Sequence, residues 1–282
     1  MELPSNEPMV AEVFESSSEP IERIDPNDPS WSVWIAFGVW AASVAAIIFV
    51  PGLFLLSYLA SVGVSLSDSE QLAKFSVTDP MAIIVQIAAV IPAHLFTLAL
   101  VWVVVTGFNR KPFFESLGWD SAGLKWWHYL AMMGAFVAIS LAVVNVVPVK
   151  PDDMERIIRS SRTALYLVVV MAVVTAPLVE EVVYRGVLYS AFQKRIGVTA
   201  AVALVTFLFT IVHVPQYAEN PAKIALLAML SLALTWLRAF TGSLLPSVVL
   251  HTLINASQSA LLLVEPYLAE RSTIETISFY YR

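Results

Sequence analysis

Seven stretches of this chain are longer and more apolar than a water-soluble fold accommodates, which limits the architecture before any motif is read. A helix crosses a hydrocarbon core of about 30 Å with roughly 20 apolar residues, and soluble core helices rarely sustain runs of that length. The stretches fall at about residues 31–60, 80–106, 126–147, 163–190, 199–214, 222–240 and 243–264. The fifth is short, and only Thr241 and Gly242 separate the last two, enough for a tight reversal or for one broken element. Trp31, Trp34, Trp126, Trp127, Tyr129 and Trp236 lie near the expected span ends, where amphipathic rings favour the headgroup zone. The expected fold is therefore an all-α, polytopic transmembrane helix bundle of about seven spans. The chain reads as an integral, multi-pass protein of the cell membrane whose first partner is the lipid bilayer.

Charge is scarce and unevenly placed. Of the residues, 58% are hydrophobic and 13% charged, and the net charge is -6. Residues 1–30 hold eight acidic residues and one arginine; the remaining 252 residues hold 14 acids and 15 bases. The first 30 residues, rich in Glu, Ser and Pro, read as a disordered acidic tail that buries too little apolar surface to offset the entropy of ordering. The rest divides into N-terminal transmembrane helices (31–159), a polar-bearing core (160–264) and a C-terminal tail (265–282). With 16 Lys plus Arg in the whole chain, there is too little cationic surface to follow a phosphate backbone, so nucleic acid is not an expected partner. The absence of cysteine excludes thiolate nucleophiles and Cys-ligated metals. Lys and Arg on alternate sides of a seven-span topology tie at eight each, so charge asymmetry sets no orientation.

Against this background a few polar residues stand out. The fourth span contains Glu180-Glu181-Val182-Val183-Tyr184-Arg185. Three unpaired charges at mid-bilayer cost roughly 8–10 kcal/mol on insertion scales, so they need partners, a watery cavity, or both. On a helix Glu181 and Arg185 share a face in the favourable acid-before-base order, while Glu180 lies about 100° away and is free to face something else. The fifth span brings Phe209-x-x-x-His213, just before a helix-stopping Pro215; the seventh brings His251-x-x-x-Asn255 on one face. Two imidazoles, an amide and an unpaired carboxylate form a sufficient kit for activating water and stabilising an oxyanion. Two histidines and a glutamate also match the ligand count of a catalytic zinc site. His94, His128, Gln86 and Asn145 read as interhelical or interfacial hydrogen-bonding residues, and Arg238 as a cation snorkelling from a span end.

Glu180-Glu181-x-x-x-Arg185, then Phe209-x-x-x-His213, then Gly242 with His251-x-x-x-Asn255, resembles the motif set of the CPBP family: the type II CAAX prenyl endopeptidases and their bacterial relatives, also called ABI proteins. The resemblance covers about residues 160–264 and leaves the first three spans and both tails outside it. It implies an intramembrane endopeptidase with a polar catalytic cavity, acting on a membrane-anchored or prenylated peptide or protein, by CAAX-type C-terminal processing or by processing of bacteriocin-related peptides. It also implies roles: Glu180 as general base on water, His213 holding that water or shuttling its proton, Glu181 held by Arg185, and His251 with Asn255 donating to the oxyanion. A single divalent metal such as zinc could sit at Glu180, His213 and His251. No H-E-x-x-H helix favours it, so a metal-free glutamate mechanism is the first expectation. The rival readings are a non-enzymatic membrane immunity or scaffold protein, and a small transporter whose polar cluster lines a pathway.

Overall fold

The computed structural model describes residues 24–280 apart from Leu66, Pro151 and Asp152; most of the acidic tail read from the sequence, residues 1–23, lies outside the described residues. All seven expected spans are present as helices long and apolar enough to cross a membrane. The first is α1 (Val33–Ser61), started by Ser32, whose side chain accepts from the Ile35 N–H, a cap that satisfies one orphan donor of the first turn.

The second span is two helices, α3 (Pro80–Ala88) and α4 (Val90–Thr106), preceded by the short α2 (Ser69–Thr78). Asp79 caps α3 and Pro80 occupies its first turn, where a missing N–H costs nothing. The break at Ala89 follows from Pro92, which cannot donate to the carbonyl four residues back. After α5 (Phe113–Leu117) comes the third span, α6 (Trp126–Val146), and then the short, amphipathic α7 (Asp153–Ser160).

The fourth span is the longest, Arg162–Ile196. It runs as α8 (Arg162–Val170), a π-helical segment Met171–Thr175, α9 (Ala176–Glu181), a second π-helical segment Val182–Leu188, and α10 (Tyr189–Ile196). Pro177 accounts for the first π segment, because widening the preceding turn makes room for its ring and for the lost donor. Glu180 and Glu181 therefore lie on one turn and a half of α-helix between two widened turns. The last three spans are α11 (Val198–Tyr217), α12 (Pro221–Thr241) and α13 (Leu245–Tyr280). Pro215 does not stop α11, as the sequence suggested; the helical path continues to Tyr217, since a proline this close to the C-terminus removes only a bond that is about to end anyway.

The long fourth span is the axis of the bundle. It packs against α1, α4, α11 and α13, while α6 covers α12 and α13. One core cluster joins Ala36, Val101, Val183, Leu188, Val205 and Phe209 from four of the spans. Outward residues such as Phe49, Leu53, Leu95, Val146 and Phe240 are exposed and face acyl chains in a bilayer.

At one end the chain is tied tightly. Gly242 ends α12 in the left-handed conformation (φ 67°), so the junction between the last two spans is a tight reversal. The Leu244 N–H donates to Gly118 O at 2.7 Å, and a Cβ on Gly118 (φ 70°) would come within 2.9 Å of Gly242 O, so only glycine fits there. Arg238 does not snorkel: it is 0% exposed, donating to Asn27 Oδ1 at 2.8 Å and Pro26 O at 3.1 Å with Tyr189 beneath its guanidinium. Residues 25–29, within the stretch read as disordered tail, thus supply acceptors for a buried cation, and Gln193 adds a bond to Asn27 O. Trp31 is likewise buried rather than at the headgroup level, its Nε1–H donating to Val187 O at 3.0 Å.

Candidate active site

Glu181 and Arg185 are both fully buried and joined, Nη1 to Oε1 at 2.9 Å. A helical i, i+4 pair alone leaves four of the five guanidinium N–H groups unmet in lipid. Three of them are met by α12: Nε donates to Thr235 Oγ1 at 3.2 Å, and Nη2 to Ser231 O at 3.1 Å and Ser231 Oγ at 2.9 Å. The faces of Phe209 and Tyr184 lie 4.9 and 5.8 Å from the guanidinium carbon, covering it with π surface that suits a cation. Charge, hydrogen bonds and packing therefore coincide on Arg185, as a buried ion pair requires.

Ser231 and Thr235 are site residues that the sequence reading missed. The signal is modest but real: two small hydroxyls four apart in an otherwise greasy span, on the helix facing the charged motif.

The second partner of Glu181 comes from α13. His251, 3% exposed, brings Nδ1 to Glu181 Oε1 at 2.8 Å. Because Arg185 balances Glu181, the carboxylate is an acceptor and the shared hydrogen belongs to His251 Nδ1. That fixes the ring and aims Nε2 at Glu180 Oε2, 3.8 Å away. Glu181 Oε2 has no hydrogen-bond partner.

Glu180 is different from its neighbour. Its side chain keeps a quarter of its surface open, and among the described residues its close polar partner is His251 Nε2. The α-helical rotation separates the two carboxylates as expected, one sealed against Arg185 and one open.

His213 is arranged by its own helix. Its Nδ1 lies 2.8 Å from Phe209 O, an acceptor, so Nδ1 carries the hydrogen and Nε2 presents a lone pair. The rings of Phe209 and His213 stack with centroids 4.7 Å apart. Phe209 thus does three things: it covers Arg185, orients His213 through its carbonyl, and packs edge-on against Tyr184, whose hydroxyl accepts from Trp40 Nε1 at 3.0 Å.

Asn255, expected beside the oxyanion, donates through Nδ2 to Ala172 O at 2.8 Å. It pins the first π segment and keeps one amide hydrogen for other use. Of the residues read as interhelical or interfacial hydrogen-bonders, Gln86 donates across to Ser76 O of α2 as well as to Ala82 O, whereas two bond within α6 and its cap: His128 accepts from the Lys125 N–H, and Asn145 donates to Leu141 O. His94 meets Thr175 Oγ1 at 3.0 Å.

The zinc possibility asks Glu180, His213 and His251 to converge on one point. Among the described residues no three His, Asp or Glu side chains form such a set, so the donors as arranged do not fit a three-ligand metal site.

Residues 162–257 match the family model described as type II CAAX prenyl endopeptidase Rce1-like. No curated protein and no solved structure matches the chain. The matched segment begins at α8 and ends within α13, and it holds all eight named residues of the motif set.

Proposed function

We propose, starting from a core that belongs to the Rce1-like type II CAAX prenyl endopeptidase family, that this integral membrane protein hydrolyses a peptide bond of a membrane-anchored substrate by a glutamate-activated water. The observation that carries the reading is the asymmetry of the two adjacent carboxylates. Glu181 is sealed and neutralised by Arg185, whereas Glu180 is open and faces an imidazole nitrogen 3.8 Å away.

That gap is too long for a direct hydrogen bond and suits a bridging water. Glu180 Oε2 and His213 Nε2 are acceptors on two different helices, the combination that draws protons away from a bound water. Carrying a hydrogen on Nε2 as well, His251 offers an N–H to a substrate carbonyl, backed by the Glu181 carboxylate at Nδ1, and Asn255 has its second amide hydrogen.

In the proposed step the water oxygen bonds to the scissile carbonyl carbon while its proton passes to Glu180. The carbonyl electron pair moves onto oxygen and is met by His251 and Asn255. The carbon–nitrogen bond then breaks as Glu180 returns the proton to the leaving amine, giving a carboxylic acid and an amine, which exchange the remaining proton to leave as carboxylate and ammonium. The substrate proposed is a prenylated C-terminal CAAX segment or another lipid-held peptide presented at the cell membrane.

The test is cleavage of a farnesylated CAAX peptide by the full chain in lipid nanodiscs, with Glu180→Gln and His213→Ala beside it. Release of the terminal tripeptide by the parent and its loss in both variants is the expected result. Cleavage retained by both variants overturns the assignment.

A further inference from the structure

The hydrolytic centre draws on spans four, five and seven, with span six bracing it. The second span also reaches it. His94 lies on the inward stripe of α4 with Ala93, Thr97, Val101 and Val105, all buried, while its neighbours Leu95 and Phe96 are exposed. An imidazole on that face has to be satisfied within the bundle. Its Nδ1 is 3.0 Å from the hydroxyl of Thr175, the last residue of the first π segment and five before Glu180.

Among the described residues the other ring nitrogen has no hydrogen-bond partner, yet it is not sealed off. The helix carrying it packs directly on the π segment and on α9, the turn and a half of helix that bears Glu180. Two polar groups on helices packed in this way, each open on the side away from its anchor, form the kind of pair that a water bridges.

We propose that His94 is a positioning residue of the centre: anchored through Nδ1 to Thr175, it holds with Nε2 a water that bridges to Glu180 and fixes the carboxylate. This rests on the hydrolytic reading above. Glu180 must present the same oxygen when it takes the proton and when it returns it. His251 restrains the carboxylate from α13, and a water on His94 restrains it from α4. A carboxylate free to swing misplaces the proton acceptor by an ångström or more, which costs up to about 100-fold in rate.

Two substitutions separate this role from a simple interhelical pin. His94→Asn keeps a polar atom at the position of Nδ1, and so the Thr175 bond, but has nothing where Nε2 was. His94→Gln places an amide where Nε2 was. In the nanodisc assay His94→Asn is expected to lower kcat about 10- to 100-fold with KM within twofold of the parent and an unchanged melting temperature. His94→Gln is expected to recover most of that loss. Equal kcat in His94→Asn and parent, or equal losses in His94→Asn and His94→Gln, overturns the proposal while leaving the hydrolytic reading intact. If the parent itself cleaves none of the lipidated peptides while its solubilised fold is intact, the hydrolytic reading fails and takes this role with it.

Discussion

Glu180 and Glu181 are neighbours in sequence and opposites in environment. Glu181 belongs to a sealed layer with Arg185, Ser231 and Thr235, in which nearly every polar atom is bonded and none is exposed. Glu180 belongs to an open layer with His213, the Nε2 edge of His251 and His94, in which nitrogens and oxygens face outward from their anchors with no hydrogen-bond partner among the described residues. The difference teaches how a membrane protein affords a reactive carboxylate: the neutral, rigid layer carries the cost of burying charge, so that the other layer can stay under-bonded. His251 is the joint, since one ring nitrogen lies in each layer.

The sharpest way to break the comparison is to neutralise the open layer alone. Glu180→Gln keeps size and shape and removes the proton acceptor, so kcat is expected to fall by about 10³-fold with the detergent-solubilised melting temperature unchanged. A matching loss of stability would mean that Glu180 is a structural partner and that the two layers are one.

The converse substitution attacks the sealed layer. Arg185→Met leaves Glu181 buried without its cation, and removal of one partner of a buried pair costs about 3–5 kcal/mol. The expected outcome is failure to recover folded protein, read by size-exclusion profile and thermal melt. The combined substitution Glu181→Leu with Arg185→Met is expected to restore the fold, because well-packed apolar residues replace the pair, while cleavage stays absent because His251 has lost its anchor. A smaller effect is expected from Thr235→Val, which removes one hydrogen bond to the guanidinium: about 1–2 kcal/mol of stability and less than a threefold change in kcat.

How far the sequence revealed this division depends on how costly each residue is in lipid. The seven spans were legible because a helix either has an apolar length matching the bilayer or does not, and the limits hold to within a few residues except at the fourth and fifth spans, which run on beyond Ser190 and Val214. Glu180, Glu181 and Arg185 were legible because carboxylates and a guanidinium at mid-span demand an explanation. Ser231 and Thr235 were not, since a small hydroxyl is cheap in a membrane helix: Thr235 also bonds the carbonyl four residues back and looks like any other such residue. Arg238 misled because a cation near a span end ordinarily reaches water. Here the leader segment folds over it, a long-range contact of 211 residues that no local pattern encodes. The π segments were equally hidden, although Pro177 marked the place where the first one forms.

The smallest expected effect bears on the open layer's donors. Zinc would need Glu180, His213 and His251 at about 2 Å from one point, and among the described residues no three His, Asp or Glu side chains converge in that way. Exhaustive chelation of the reconstituted protein is therefore expected to leave kcat unchanged, with no stoichiometric metal in the active preparation. Activity lost on chelation and regained with zinc would show that the open layer closes on a metal, and would turn its unpaired nitrogens from water acceptors into ligands.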